Sequence, residues 1–194
     1  MDYNKEETEE IKHYTYIHQA VTSNVHHFYI SSSIEDPIYY TDMVHKIMVA
    51  APNDIIYIHL ATPGGYVATG IQLINAMNAS QAHVIAALEG EVASLGTMLF
   101  LAADEFIVHD NCLLMFHNYS GGVWGKGHEQ VAALESATRW SEDFMMRLYV
   151  PFMTKDEVER LIKGEDIYMH PPEIKERLAA MVKIRQEEAD AEAA

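Results

Sequence analysis

The segment Ile55-Ile-Tyr-Ile-His-Leu60, running into Thr62-Pro-Gly-Gly65, constrains the fold more than any other stretch of the chain. Six nearly unbroken apolar residues ending at a glycine turn read as a strand covered on both faces, the arrangement of a parallel sheet flanked by helices. Val67, Ile71, Ile74 and Met77 then recur at helical spacing. The alternation repeats downstream: His83–Leu88 reads as a strand, Ser94–Ala103 as a helix, and Glu105–His109 and Cys112–Phe116 as strands. Upstream, His27–Ile30 reads as a strand and Ser31–Pro37 as a connection. Tyr40, Met43, Val44, Ile47 and Met48 mark one helical face, which ends at Ala51-Pro-Asn-Asp54. Strand and helix alternating at these lengths predict an α/β fold with a mostly parallel sheet.

The second half reads differently. Ser120–Gly127 holds four glycines in eight positions, and His128–Tyr149 is the longest helical segment. That helix carries Val131, Leu134, Trp140, Phe144, Met145, Leu148 and Tyr149, more apolar surface than one face on a small domain buries, so part of it is expected to be an association surface. Thr154-Lys-Asp-Glu157 matches a capping box, and Pro171-Pro172 suits the first turn of a last helix.

With 194 residues and no repeat or internal linker, one domain is expected, with segments at 1–25, 26–183 and 184–194. The net charge is −16, partly from acidic ends, of which 184–194 reads as disordered. An acidic body disfavours nucleic acid and anionic membrane surfaces. No apolar run is long enough to span a membrane. The opening MDYNKEETEE lacks the apolar core of a signal peptide, and Cys112 is the single cysteine, so a reducing, cytoplasmic setting is expected.

Three residues suit acyl transfer. Ser94, in Gly90-Glu-Val-Ala-Ser-Leu-Gly96, sits where a strand hands over to a helix; His117 ends the apolar run Cys112–Phe116; Asp166 follows the helix of Val158 and Ile162. Serine as nucleophile, histidine as base and aspartate as orienter is the set such chemistry needs. Each also has a plainer role: Ser94 as a helix N-cap, His117 as one of eleven histidines, Asp166 as a turn acid. The Thr62–Gly65 turn lies past a strand's C-terminal end, where open α/β sheets place ligands, and its glycines admit close backbone approach. No H-x-x-x-H or H-E-x-x-H occurs, and His26 and His27 face opposite ways on a strand, so no metal is expected.

Four motifs in order resemble the proteolytic-subunit family of the Clp protease. Ile58-His-Leu-Ala-Thr-Pro-Gly-Gly65 is similar to that family's strand ending in S-P-G-G, and Gly90–Gly96 to its G-x-A-A-S-M-G. Leu114-Met-Phe-His-Asn118 is similar to its I-M-I-H-Q, and Gly164-Glu-Asp-Ile-Tyr-Met169 to its segment around the aspartate. The resemblance implies a repeated β-β-α superhelix, shared with crotonases, and a protruding helix–strand handle. It implies a Ser94–His117–Asp166 triad, oxyanion donors at Gly65 and Leu95, and substrate flanked by Gly64, Tyr66 and Val67 on one side. On the other side would stand Tyr119, Ser120, Gly121, Gly122 and Val123. It further implies two stacked heptameric rings, polypeptide substrates, no cofactor in this subunit, and ATP only through a partner ring unfoldase. The chain departs from the family at Leu95 for methionine, at Asn118-Tyr119 for Gln-Pro, at Ser31–Ser33 and in its acidic N-terminus. Two alternatives stand beside this reading: a crotonase-type enzyme acting on acyl-CoA, and a ring subunit without activity.

Overall fold

A computed structural model describes residues 22–192. Seven strands and six α-helices follow in the order β1 (Val25–Ile30), α1 (Thr41–Val49), β2 (Ile55–Leu60), α2 (Val67–Ala79), β3 (His83–Leu88), β4 (Glu91–Ala93), α3 (Leu95–Leu101), β5 (Glu105–Val108), β6 (Leu113–Phe116), α4 (Gly127–Tyr149), α5 (Lys155–Ile162), β7 (Ile167–Met169) and α6 (Pro171–Glu192). A four-stranded parallel sheet has the order β1-β2-β3-β5, and a three-stranded sheet the order β4-β6-β7 with only β7 antiparallel. Thus β3-β4-α3 and β5-β6-α4 are two turns of a β-β-α repeat. In the two preceding turns the second strand shrinks to one parallel bridge, Ile34 to Gly65. The repeated superhelix expected from the sequence is present.

The core lies between the sheets and their helices. Ile56, Ile58 and Leu60 of β2, Leu73 of α2, Phe100 of α3 and Phe116 of β6 are fully buried in it. Covering both faces of β2 was the expectation, and the structure corrects it: β2 alternates between buried and half-buried residues. Among the described residues no helix covers its outer face, where Tyr57 and His59 are half-buried. Aromatic rings spread over it instead, with Tyr29 stacked on His59 at 4.3 Å and His27 on Tyr57 at 4.8 Å between centroids. His59 bridges His27 and Glu89, at 2.9 and 2.5 Å. His26 faces the other way, 3.6 Å from Asp54.

Other expectations change too. The strand expected from His27 starts at Val25, so a boundary at 25/26 would cut β1; residues 1–21 lie outside the described part. Ser120–Gly127, expected to supply the strand of the handle, forms no strand: residues 120–126 are irregular and Gly127 opens α4. A segment needs a pairing partner to count as sheet, and among the described residues it has none. The tail from 184, expected to be disordered, continues α6 as helix to Glu192. It lacks glycine and proline and is rich in alanine and glutamate, which favour helix. The Arg185 guanidinium also donates to the carbonyls of Leu101 and Ala103 at 2.9 and 3.2 Å, tying the tail to the end of α3.

Candidate active site

The turn after β2 is built from side-chain-to-backbone bonds. The Thr62 hydroxyl donates to Ser32 O at 2.6 Å and accepts from Gly64 N at 3.1 Å. Ile34 N donates to Gly64 O and Tyr66 N to Ile34 O, at 2.8 and 2.7 Å, pinning the glycine pair from outside. A Cβ on Gly64 would stand 2.8 Å from Ser94 Cβ and 2.9 Å from Leu95 N, so only glycine lets this turn touch the start of α3. Neither Gly65 N–H nor Leu95 N–H donates to a partner among the described residues. Two free N–H groups therefore edge the place where Ser94 sits.

Ser94 is the one non-glycine residue with positive φ among the described residues, at φ 54° and ψ −127°. Such a conformation costs on the order of 1–3 kcal/mol and persists only when its surroundings impose it. Here Ser94 N donates to Met115 O at 2.9 Å, and Ser94 O accepts from Thr97 N at 2.9 Å and from the Thr97 hydroxyl at 2.7 Å. With that proton committed, Thr97 Oγ1 accepts from the buried Tyr149 hydroxyl at 2.9 Å. Burial pushes the Tyr149 phenol pKa up, so it stays a donor. The serine makes no side-chain cap bond at the helix start. A plain N-cap therefore does not account for Ser94, whose hydroxyl is left over for other use.

His117 leaves β6 on the half-open side, after the alternation Leu113, Leu114, Met115, Phe116 has buried every second residue. Ser94 and His117 line one small cleft, together with Gly65, Val67, Leu95, Tyr119 and Ser120. Its floor is apolar: Met98 from α3 and Trp140, Phe144, Met145 and Tyr149 from α4. Trp140 and Phe144 stack with centroids 4.9 Å apart. Only part of the apolar surface of α4 is expected to serve association, and in the structure Met145 and Tyr149 are buried and Phe144 half-buried, whereas Trp140 stays 40% exposed. Once the helix crosses α3, its last two turns face its own subunit. A shallower groove continues past Gly65, Tyr66, Val67 and Ser120, whereas Gly121, Gly122 and Val123 line neither space.

Asp166 is exposed and does not line the cleft. It precedes β7, whose antiparallel register with β6 pairs Phe116 with Ile167. The ladder ends there; continued by one step, the same register would set Asp166 opposite His117, the position from which cross-strand side chains interact. Among the described residues no hydrogen bond or ion pair joins Ser94 to His117 or His117 to Asp166; Ser94 and His117 share the cleft, and Asp166 stands outside its lining. No group of three or more His, Cys, Asp or Glu among the described residues is arranged to hold a metal.

The family model described as Clp protease matches residues 8–181. The chain is similar to the ATP-dependent Clp protease proteolytic subunit 2 of Pseudomonas aeruginosa, 32% identical over 88 residues, which is 43% of this chain and 44% of that protein. It is also similar to the ATP-dependent Clp protease proteolytic subunit of Streptococcus suis, 33% identical over 76 residues, 38% of this chain and 39% of that protein. The chain thus spans less than half the length of these curated relatives.

Proposed function

The chain belongs to the Clp protease family, and from that premise we propose that it is a serine endopeptidase subunit cutting unfolded polypeptides through an acyl-enzyme. The observation that carries this reading is Ser94: a strained serine at a helix start, its hydroxyl uncommitted, sharing a cleft with His117. Ser94 Oγ attacks the peptide carbonyl carbon while His117 takes its proton. The C–O bond forms as the carbonyl π electrons move onto oxygen. Gly65 and Leu95 N–H groups receive that oxyanion, each such donor being worth about 10²–10³ in rate. Collapse breaks the C–N bond, and His117 returns its proton to the leaving amine. Water then repeats the sequence on the acyl-enzyme. Asp166 orients the imidazole and stabilises its cation. Catalytic hydrogen bonds often tighten only in the substrate complex, which accounts for an unbonded set in the free chain.

The extended substrate would lie between Val67 and the Tyr119–Ser120 edge, with a side chain on the apolar floor. We further propose that copies of the chain assemble into rings enclosing the cleft, fed by an ATP-driven unfoldase. The test is hydrolysis of short peptides by wild type and Ser94→Ala, with a fluorophosphonate probe. Loss of the nucleophile should cost on the order of 10⁶ in rate, and the probe should label Ser94. Labelling separates this reading from an acyl-CoA enzyme or an inactive subunit. A Ser94→Ala protein keeping more than a small residue of the activity would overturn it.

A further inference from the structure

The β6–β7 ladder stops at Phe116 and Ile167, one step short of His117 and Asp166. Beyond it the chain runs through an exposed turn, with Gly164 at φ +100°. One bond crosses the gap on the far side: Asn118 Nδ2 donates to Ile162 O at 2.8 Å, joining residues 44 apart in sequence. The His117–Asp166 step is thereby bracketed, by the ladder on one side and by this bond on the other.

The end of α5 has a specific opening for that bond. A helix leaves its last four carbonyls without helical partners. Lys163 N, Glu165 N and Gly164 N donate to the carbonyls of Glu159, Arg160 and Leu161. Among the described residues the carbonyl of Ile162 has no backbone donor, and it takes the Asn118 amide instead. The same side chain also fixes the segment after β6, since Asn118 Oδ1 accepts from Tyr119 N at 2.8 Å. The Tyr119 hydroxyl in turn reaches Thr138 of α4 at 2.9 Å.

We infer that Asn118 is a positioning residue for catalysis: it clasps the segment carrying His117 to the segment carrying Asp166 and so holds the base and its orienter in register. This rests on the triad proposed above. A displacement of about 1 Å at a catalytic pair lowers rate by about a hundredfold. Asn118→Ala should therefore lower kcat on short peptides by about tenfold to a hundredfold, leaving native mass unchanged. Fluorophosphonate labelling of Ser94 should slow in parallel. Asn118→Asp keeps the shape and the acceptor for Tyr119 N but has no donor for Ile162 O, so it should be as impaired. It also stands in for the alanine variant should that fail to fold. Asn118→Gln, which keeps the amide, should recover most of the loss. A merely structural role would lower thermal stability or assembly without a selective fall in kcat. The inference is overturned if folded Asn118→Ala or Asn118→Asp keeps wild-type kcat, or if the loss in Asn118→Asp, which keeps the bond from Tyr119 N, lies in KM. Ser94→Ala run beside them separates the cases. If it is inactive while the Asn118 variants are unimpaired, this inference alone fails. If it stays active, both readings fail.

Discussion

At the scale of single residues, the candidate site depends on backbone that only particular side chains permit. Gly64 has φ +89°, and an added Cβ would meet Ala93 O, Ser94 Cβ and Leu95 N at 2.8, 2.8 and 2.9 Å. Two of those neighbours are backbone atoms and cannot swing aside. Overpacking of this kind costs about 1–3 kcal/mol. Gly64→Ala should thus lower the melting temperature and, by pushing Ser94 off its position, reduce peptide hydrolysis more than tenfold (about 1.4 kcal/mol of barrier). A variant with unchanged activity would show that the turn and the serine are not coupled. Thr97 works from the other side, since its hydroxyl holds the Ser94 carbonyl while Tyr149 holds Thr97.

At the scale of elements, α5 and α6 are locked by one ion pair. Arg177 donates to both Glu157 oxygens at 2.8 and 2.7 Å, and also contacts Glu173 at 2.9 Å. Glu157 closes the α5 capping box as well, accepting from Thr154 N at 2.8 Å. Mainly through the Arg177 hydrogen bonds, its carboxyl is held down to about 2, from an ordinary 4.5. A lowered acid pKa means stability that is complete above about pH 4.5 and is lost as pH falls through about 2. Arg177→Met should therefore cost about 2–3 kcal/mol near neutrality, or roughly 5–10 °C in melting temperature. The gap to wild type should hold down to about pH 5 and narrow below pH 4.5. A gap of constant size down to pH 3 would mean that the pair does not set this stability. The capping box was legible as Thr154-x-x-Glu157, a spacing within one turn of chain. The arginine was not, because it lies 20 residues downstream.

At the scale of the whole molecule, α4 divides into two halves. Ser141, Met145 and Tyr149 are buried in their own subunit, whereas Val131 and Leu134 are 58% and 50% exposed. Trp124, on the irregular segment before the helix, is fully exposed. Large apolar side chains left in water on a helix of about 35 Å mark an association surface. Native mass spectrometry should show an assembly of many 22.0 kDa chains. Replacing Trp124, Val131 and Leu134 by glutamate should reduce its size while leaving secondary structure intact, since none of the three belongs to the core. A fully active monomer would refute assembly as a condition for activity. Among the described residues no helix is long and apolar enough to cross a membrane.

Five of the seven strands, all six helices, the capping box, the proline-led start of α6 and the candidates Ser94 and His117 were legible in the amino-acid sequence, whereas the three-residue strands β4 and β7 were not. The legible features follow from patterns inside short windows: an apolar period, a turn dipeptide, a four-residue motif. Only the tertiary structure decided that Ser94 is strained rather than a cap, that Ile34 bridges Gly65, and that Asn118 closes the end of α5. It also decided that the outer face of β2 is tiled by its own rings and that the acidic tail is helix held by Arg185. Each of these depends on a partner about 20 to 84 residues away in sequence. Such partners meet only when sheet register and helix crossing bring them together, and no local period encodes that meeting.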